Sequence, residues 1–126
     1  MTERPLISIV DDDESVREAL QGLIRSVGYT VQVFASSEEF LSSEHLHDTD
    51  CLMLDVRMPG MRGPELQRWL VENGHKIPIV FITAHAEDRE IRSRALRDGA
   101  VDYLFKPLSE EAVLHAIEQA LHTKPS

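Results

Sequence analysis

Residues 6–28, LISIVDDDESVREALQGLIRSVG, contain an apolar segment, an acidic turn and an amphipathic segment in succession. Residues 6–10 are mostly apolar and β-branched and too few for a helix, which favours a β-strand. The following apolar residues recur with a period of 3.6 and share one helical face: Val16, Ala19, Leu20, Leu23, Ile24 and Val27. Gly28 then ends the helix. The stretch therefore predicts one strand–helix unit joined by an acidic turn.

The same alternation continues along the chain. Four further apolar runs predict strands at residues 30–34, 51–54, 79–82 and 101–105. Ser36 and Ser109 are placed to cap the second and fifth helices, and the third helix is predicted over 64–73. The fourth helix, from about residue 88 to 98, has few apolar side chains to bury, namely Ile91, Ala95 and Leu96. We therefore expect the fourth helix to be the most easily displaced.

Five strand–helix units in succession predict an α/β fold, a (βα)5 doubly wound parallel sheet with right-handed crossovers. A flavodoxin-like strand order of 2-1-3-4-5 suits this succession. The length is that of a single domain, which we assign to residues 1–122. Residues 123–126, Thr-Lys-Pro-Ser, are interpreted as a C-terminal tail or as the start of a linker to an absent output domain.

The composition narrows the class of protein. The 126 residues include 13 basic and 22 acidic side chains, a formal net charge of -9, so we expect no direct nucleic acid binding by this domain. No apolar run approaches the roughly 20 residues of a membrane helix, and residues 1–5 lack the features of a secretory signal. We therefore expect a cytoplasmic protein without a membrane partner. The single cysteine, Cys51, excludes an internal disulfide and is interpreted as a core residue.

Chemically active side chains follow four of the predicted strands. The first strand is followed by Asp11 and Asp12, the third by Asp55, the fourth by Thr83 and the fifth by Lys106. Because the carboxyl ends of parallel strands meet at one sheet edge, we expect these side chains to lie together. Clustered carboxylates require a cation, and an all-oxygen site favours Mg2+. A carboxylate nucleophile, a divalent ion, a lysine and a hydroxyl predict a site that accepts a phosphoryl group on Asp55.

In their order and spacing, several segments resemble the receiver domain of two-component response regulators. They cover essentially the whole chain: Ile9-Val10-Asp11-Asp12 with Val16-Arg17, Asp55-Val56-Arg57-Met58-Pro59-Gly60-Met61 with Gly63, Phe81-Ile82-Thr83-Ala84, and Gly99-Ala100-Val101-Asp102-Tyr103-Leu104 with Lys106-Pro107. Residues 57–63 and 83–85 are most similar to the subgroup typified by the nitrogen-fixation regulator FixJ. Receivers of that subgroup usually precede a helix-turn-helix DNA-binding domain. The third acid, Asp13, departs from the family's usual pair.

The resemblance implies a role for each residue of the site. Asp55 would be the phosphoacceptor for a sensor histidine kinase, and Thr83 and Lys106 would hold the phosphoryl oxygens. Mg2+, which Mn2+ can replace, would be held by Asp11, Asp12, Asp55 and the backbone carbonyl of Arg57. Arg57 and His85 are candidates for tuning the rates of phosphorylation and dephosphorylation. A receiver takes part in its own phosphorylation and dephosphorylation, so we do not expect a turnover enzyme.

The resemblance also implies how the signal leaves the domain. Thr83 would move toward phosphorylated Asp55 and Tyr103 would turn inward, which changes the face formed by the fourth helix, fifth strand and fifth helix. This face would form a phosphorylation-dependent homodimer and regulate transcription through a C-terminal helix-turn-helix domain. A cis peptide bond is implied between Lys106 and Pro107.

Other functions use the same residue types. A stand-alone single-domain response regulator would have the same site and act through protein–protein contact. An aspartate-nucleophile phosphohydrolase would share the carboxylate, metal and lysine chemistry, but here Asp55 follows the third strand and Arg57 replaces that class's second acid. His45 and His47 lie in a polar segment without a third soft ligand and are interpreted as loop residues. Trp69 is expected in the core.

Overall fold

Strand and helix alternate five times in the computed structural model, which describes residues 4–85 and 89–123. The strands are β1 (Leu6–Val10), β2 (Thr30–Phe34), β3 (Cys51–Asp55), β4 (Ile79–Thr83) and β5 (Asp102–Phe105). The helices are α1 (Glu14–Ser26), α2 (Ser37–Leu41), α3 (Gly63–Glu72), α4 (Arg89–Arg97) and α5 (Glu110–Thr123). All ten predicted elements are therefore present.

The five strands form one parallel sheet in the order β2-β1-β3-β4-β5. This confirms the α/β class and the flavodoxin-like order. The order reverses between β1 and β3, since the chain first adds β2 on one side of β1 and then β3 on the other. Ligands of such sheets bind at the carboxyl ends of the strands beside this reversal.

The core consists of two apolar layers, one on each face of the sheet. Side chains alternate along a strand, so Leu52 and Leu54 of β3 enter one layer while Cys51 and Met53 enter the other. Helices α2, α3 and α4 cover the first layer, and α1 and α5 cover the second. Burial on both faces explains why β1, β3 and β4 have little polar–apolar alternation.

Side-chain caps fix the helix boundaries. The Ser36 hydroxyl accepts a hydrogen bond from the Glu39 backbone at 3.1 Å, and the Ser109 hydroxyl accepts one from Ala112 at 3.2 Å, as the sequence predicts. Helix α1 begins two residues before its first apolar position because Asp13 caps it. The predicted start of α4 at residue 88 lies outside the described residues, as do residues 124–126 of the predicted tail.

The expectation that Trp69 belongs to the core is wrong in part. Its ring is only half-buried and stacks on the ring of His75, with centroids 5.5 Å apart and planes 12° from parallel. The His47 ring lies 5.3 Å from that of His75. The helical periodicity placed Trp69 on the apolar face correctly, but that position lies at the margin of the core, where His75 covers it.

Candidate functional site

The structure brings the predicted site residues to the carboxyl edge of the sheet. Asp11 follows β1, Asp55 ends β3, Thr83 ends β4 and Lys106 follows β5. These four strands are neighbours in the sheet, which places the residues side by side. Asp11 and Thr83 are fully buried and Asp55 is 5% exposed, so the site is sunk into the end of the sheet.

Three carboxylates converge at this edge. Asp11, Asp12 and Asp55 each offer one oxygen, and these three oxygens all lie within 4.8 Å of one another. Asp12 is exposed, so the cluster is open to solvent on its side. Hard oxygen ligands with an open approach fit Mg2+ or Mn2+ and not a closed zinc site. Among the described residues, 4–85 and 89–123, these three acids are the group of possible ligands whose atoms lie close enough together to hold one metal ion. His45 and His47 do not belong to this group.

The third acid of the acidic turn has a different role. The Asp13 carboxylate accepts hydrogen bonds from the Ser15 backbone at 2.9 Å and the Ser15 hydroxyl at 2.6 Å. The hydroxyl bond is the main reason why the pKa of Asp13 is lowered. Asp13 is thus the N-cap of α1, and Asp11 and Asp12 remain directed to the carboxylate cluster.

Backbone and side-chain donors hold Asp11 in place. Its carboxylate accepts the backbone N–H of Asp13 at 2.8 Å, and its carbonyl accepts a hydrogen bond from the Arg17 guanidinium at 2.7 Å. The sequence analysis assigned no role to Arg17. Its position six residues after Asp11, on the first turn of α1, was the available signal for this contact. The Arg17 bond ties the start of α1 to the end of β1.

Lys106 contacts two members of the acidic cluster. Its ammonium nitrogen lies 2.9 Å from Oδ2 of Asp11 and 3.7 Å from Oδ2 of Asp55. Burial alone would lower the pKa of Lys106, but the hydrogen bond to Asp11 and the charge of Asp55 outweigh it, so the pKa is raised. Lys106 is therefore a fixed positive charge beside Asp55. Its peptide bond to Pro107 is cis.

The environment of Asp55 disfavours its charged form. Burial, followed by the charge of Asp11, raises the pKa of Asp55 to about 7, against the opposing charge of Lys106. The Arg57 backbone N–H donates a hydrogen bond to this carboxylate, which acts in the lowering direction. A bound cation would favour the ionised form by neutralising the neighbouring charges.

Close packing of α3 supports Asp55 from behind. A Cβ atom at Gly63 would collide with the backbone carbonyl of Asp55 and press on the Phe81 ring. Only glycine lets the first turn of α3 approach β3 this closely. The residue was part of the family resemblance, and its physical reason is this contact.

The remaining site residues lie on β4 and β5. The Thr83 hydroxyl accepts the backbone N–H of His85 at 3.0 Å, and His85 itself is half-buried next to the site. Tyr103 is buried, 4% exposed, with its ring 5.9 Å from that of Phe81 and 5.5 Å from that of Phe105. The structure thus places Tyr103 in the inward position. Its alternation with an outward position stays a prediction.

A chain with this sheet order, a buried acidic cluster at its carboxyl edge and a lysine after the fifth strand defines a class of protein. The family model of the response regulator receiver domain matches residues 7–118. The chain therefore belongs to the response regulator receiver family, which confirms the resemblance found in the sequence. None of the described helices has the length and apolar character needed to span a membrane.

The relatives of the chain include a response regulator and a transcriptional regulator. It is 46% identical over 120 residues to the response regulator protein TodT of Pseudomonas putida, covering 95% of this chain and 52% of TodT. It is 35% identical over 121 residues to the transcriptional regulatory protein FixJ of Azorhizobium caulinodans, covering 96% and 57% of the two chains. This chain spans about half the length of these relatives.

Solved structures agree with the sequence relatives. The response regulator StyR superimposes with a TM-score of 0.87 at 48% identity, covering 95% of this chain and 60% of StyR. FixJ-N superimposes with a TM-score of 0.87 at 34% identity and 99% coverage of both chains. The chain is thus a receiver domain similar to those of transcriptional regulators.

Proposed function

We propose that this receiver accepts a phosphoryl group from a sensor histidine kinase on Asp55, in a reaction that requires Mg2+. The observation that carries the proposal is the position of Asp55, whose carboxylate clusters within 4.8 Å with those of Asp11 and Asp12 and has the Lys106 ammonium 3.7 Å away. Like charges at this spacing favour a bound cation, and Lys106 supplies a positive charge for the incoming phosphoryl oxygens.

The transfer follows from the placement of these groups. A carboxylate oxygen of Asp55 attacks the phosphorus, the bond from phosphorus to the kinase histidine nitrogen breaks, and that nitrogen keeps the electron pair. Mg2+, held by Asp11, Asp12, Asp55 and the Arg57 carbonyl, would neutralise charge on the phosphoryl oxygens. Lys106, which is paired with Asp11 and lies 3.7 Å from Asp55, is near enough to turn to a phosphoryl oxygen on Asp55. The Thr83 hydroxyl donates to another by turning away from the His85 N–H.

A groove beside the site suits the kinase. It has a volume of about 280 Å³ and a largely apolar lining from α1 and from the segment after β5. Val16, Ala19 and Leu23 supply the α1 side, while Pro107 and Leu108 supply the other. Because Lys106 is among the lining residues and lies 3.7 Å from Asp55, a helix seated in the groove would bring its histidine toward Asp55.

The output is proposed to be a homodimer that regulates transcription through a helix-turn-helix domain elsewhere in the full protein. The face formed by α4, β5 and α5 supports this proposal, because Phe105 is 40% exposed there and touches the buried Tyr103 ring. A change at Thr83 reaches this face directly, since Thr83 pairs with Phe105 across β4 and β5. On this account the domain is a switch and not a turnover enzyme.

Intact-mass measurement after incubation with a small phosphodonor tests the proposal. We expect one phosphoryl adduct in the presence of Mg2+, none with a chelator, and none in Asp55→Asn. Undiminished labelling of Asp55→Asn would show that another residue is the acceptor. Release of many equivalents of inorganic phosphate per minute, without accumulation of the adduct, would favour a phosphohydrolase.

A further inference from the structure

The loop between β3 and α3, residues 56–62, carries the groups that touch Asp55 from above. It begins directly after Asp55, and its Arg57 backbone N–H donates a hydrogen bond to the Asp55 carboxylate. The two ends of the loop are closed on each other, since the Gly63 N–H donates to the Val56 carbonyl at 3.1 Å. Between these ends, Arg57, Pro59 and Gly60 are exposed. Met58, within the loop, is buried in the core, so a contact at the loop's tip acts together with this anchor to set the position of the exposed part.

A side chain from another helix reaches that tip. The carboxylate of Glu38, on α2, accepts the backbone N–H of Met61 at 2.9 Å, although the residues are 23 positions apart in the chain. This hydrogen bond is also the main reason why the pKa of Glu38 is lowered. Glu38 is thus directed at the loop and is not simply an exposed acid on the helix surface.

The loop is shaped to admit this carboxylate. A Cβ atom at Gly60 would lie 2.6 Å from Oε2 of Glu38, so a side chain there would displace the carboxylate. Gly60 also has a φ of 77°, a left-handed conformation that favours glycine. Two features of the loop, the backbone N–H of Met61 and the absence of a side chain at Gly60, thus accommodate one oxygen of Glu38.

The helix that carries Glu38 is anchored at both its cap and its buried face. Helix α2 is capped by Ser36, and Phe40, two residues after Glu38, is fully buried with its ring 5.4 Å from that of Phe34. The cap and the buried Phe40 thus anchor the short helix that carries the Glu38 carboxylate.

We propose that Glu38 is a positioning residue for the phosphoryl-acceptor site. It holds the tip of the β3–α3 loop through Met61 and Gly60, and the loop in turn holds the Arg57 backbone against Asp55. Glu38 touches neither the phosphoryl group nor the metal ligands' side chains. This inference rests on the proposed function, because the position of the Arg57 backbone matters only if Asp55 and its cation take part in the reaction.

The test compares Glu38→Ala, Glu38→Gln and Glu39→Ala with the wild type. Glu39 is the next residue on α2, is exposed and has the same charge, so it controls for the loss of one acidic charge from this helix. The glutamine carbonyl oxygen can still accept the Met61 N–H, so Glu38→Gln is the conservative rescue. Melting temperatures of all variants establish that each is folded.

Two measurements are made on each variant. The Met61 amide resonance, followed by 15N-NMR in metal-free protein, reports the hydrogen bond, and phosphodonor labelling across a Mg2+ series reports the site. We expect Glu38→Ala to shift the Met61 amide and to raise the Mg2+ concentration for half-maximal labelling about three- to tenfold, the range of one net hydrogen bond. The Mg2+ concentration for half-maximal labelling of Glu38→Gln should fall between those of the wild type and Glu38→Ala. That of Glu39→Ala should match the wild type.

The possible outcomes test the positioning role of Glu38 separately from the proposed phosphoryl-acceptor function. A shifted Met61 amide with an unchanged Mg2+ requirement overturns the positioning role while the proposed function stands. Equal losses in Glu38→Ala and Glu39→Ala overturn it as well, because they indicate a general charge effect. A wild-type protein that accepts no phosphoryl group at any Mg2+ concentration overturns both.

Discussion

The ammonium nitrogen of Lys106 lies 2.9 Å from Oδ2 of Asp11, closer than to Asp55, its other acidic neighbour at 3.7 Å. Asp11 is fully buried, whereas the Lys106 side chain is 18% exposed. The lysine therefore compensates a buried charge in the resting site and remains near enough to Asp55 to change partners. The Lys106–Asp11 pair therefore affects both the stability of the domain and the proposed phosphorylation of Asp55.

Lys106→Met is expected to destabilise the metal-free domain by about 1 to 3 kcal/mol, because it leaves the Asp11 carboxylate buried without its cation. Breaking a fully buried ion pair would destabilise the protein more, but the Lys106 side chain is partly exposed. Urea denaturation with a chelator present measures the change. Adding Asp11→Asn to Lys106→Met should recover most of the loss, since it removes the stranded charge. A double variant as unstable as the single one would show that Lys106 acts through packing alone.

Metal-free stability should also depend on pH through Asp55. Its pKa is about 7 in the folded protein against an ordinary value of 3.8, so protonation favours the folded state. The stabilising contribution is complete below about pH 4 and is lost as the pH rises through about 7. Above that pH the ionised Asp55 carboxylate destabilises the folded state. Asp55→Asn removes this charge, so we expect the variant to melt several degrees above wild type at pH 8 in chelator. The gain should shrink toward pH 5.

Thermal melts at pH 5 and pH 8 make this comparison, and Asp48→Asn, at an exposed loop position, is the matched control. A gain for Asp55→Asn that is the same at both pH values would show that charge on Asp55 is not its cause. Saturating Mg2+ should reduce the gain at pH 8, because the cation offsets the same repulsion in the wild type.

Asp12 and Asp13 should respond differently to metal. Asp12 belongs to the carboxylate cluster, whereas Asp13 caps α1, so we expect Asp12→Ala to lose most of the increase in melting temperature that Mg2+ gives the wild type. Asp13→Ala should lose some stability, because the N-cap of α1 is removed, and should keep the metal response. Calorimetric melts across a Mg2+ series measure both. The reverse pattern would make Asp13 the ligand.

The sequence predicted the sheet because local patterns determine it. Short apolar runs give β1 to β5, and their succession with helices leaves few topologies. The site was predictable for the same reason: Asp55 and Lys106 follow their strands directly, so the topology alone places them together. Conversely, Glu38 and Met61 are exposed or half-buried residues 23 positions apart, and their contact has no periodic signature. The role of Asp13 depended on which way one carboxylate points, which only the structure decides.

Phosphorylation should convert the domain from monomer to dimer through the face made by α4, β5 and α5. Helix α4 buries only Ala95 fully, and a buried hydrogen bond from the Gln67 side chain to the Ala95 carbonyl, 3.2 Å long, ties it to α3. A helix held by so few groups can be shifted by a differential energy of about 1 to 3 kcal/mol. Beryllofluoride with Mg2+ replaces the phosphoryl group at Asp55 in this experiment.

Sedimentation velocity should show a dimer with beryllofluoride and a monomer without it. Thr83→Ala should weaken the dimer at least several-fold, because the hydroxyl that would follow the phosphoryl group is gone, whereas Thr83→Ser keeps that hydroxyl and should dimerise. Metal binding should persist in both variants, since Thr83 is not among the clustered carboxylates. If beryllofluoride occupies Asp55 and the wild type stays monomeric at high concentration, the face does not self-associate. Release of a linked output domain then becomes the better account, because the same displacement of α4 would uncover a surface without pairing it.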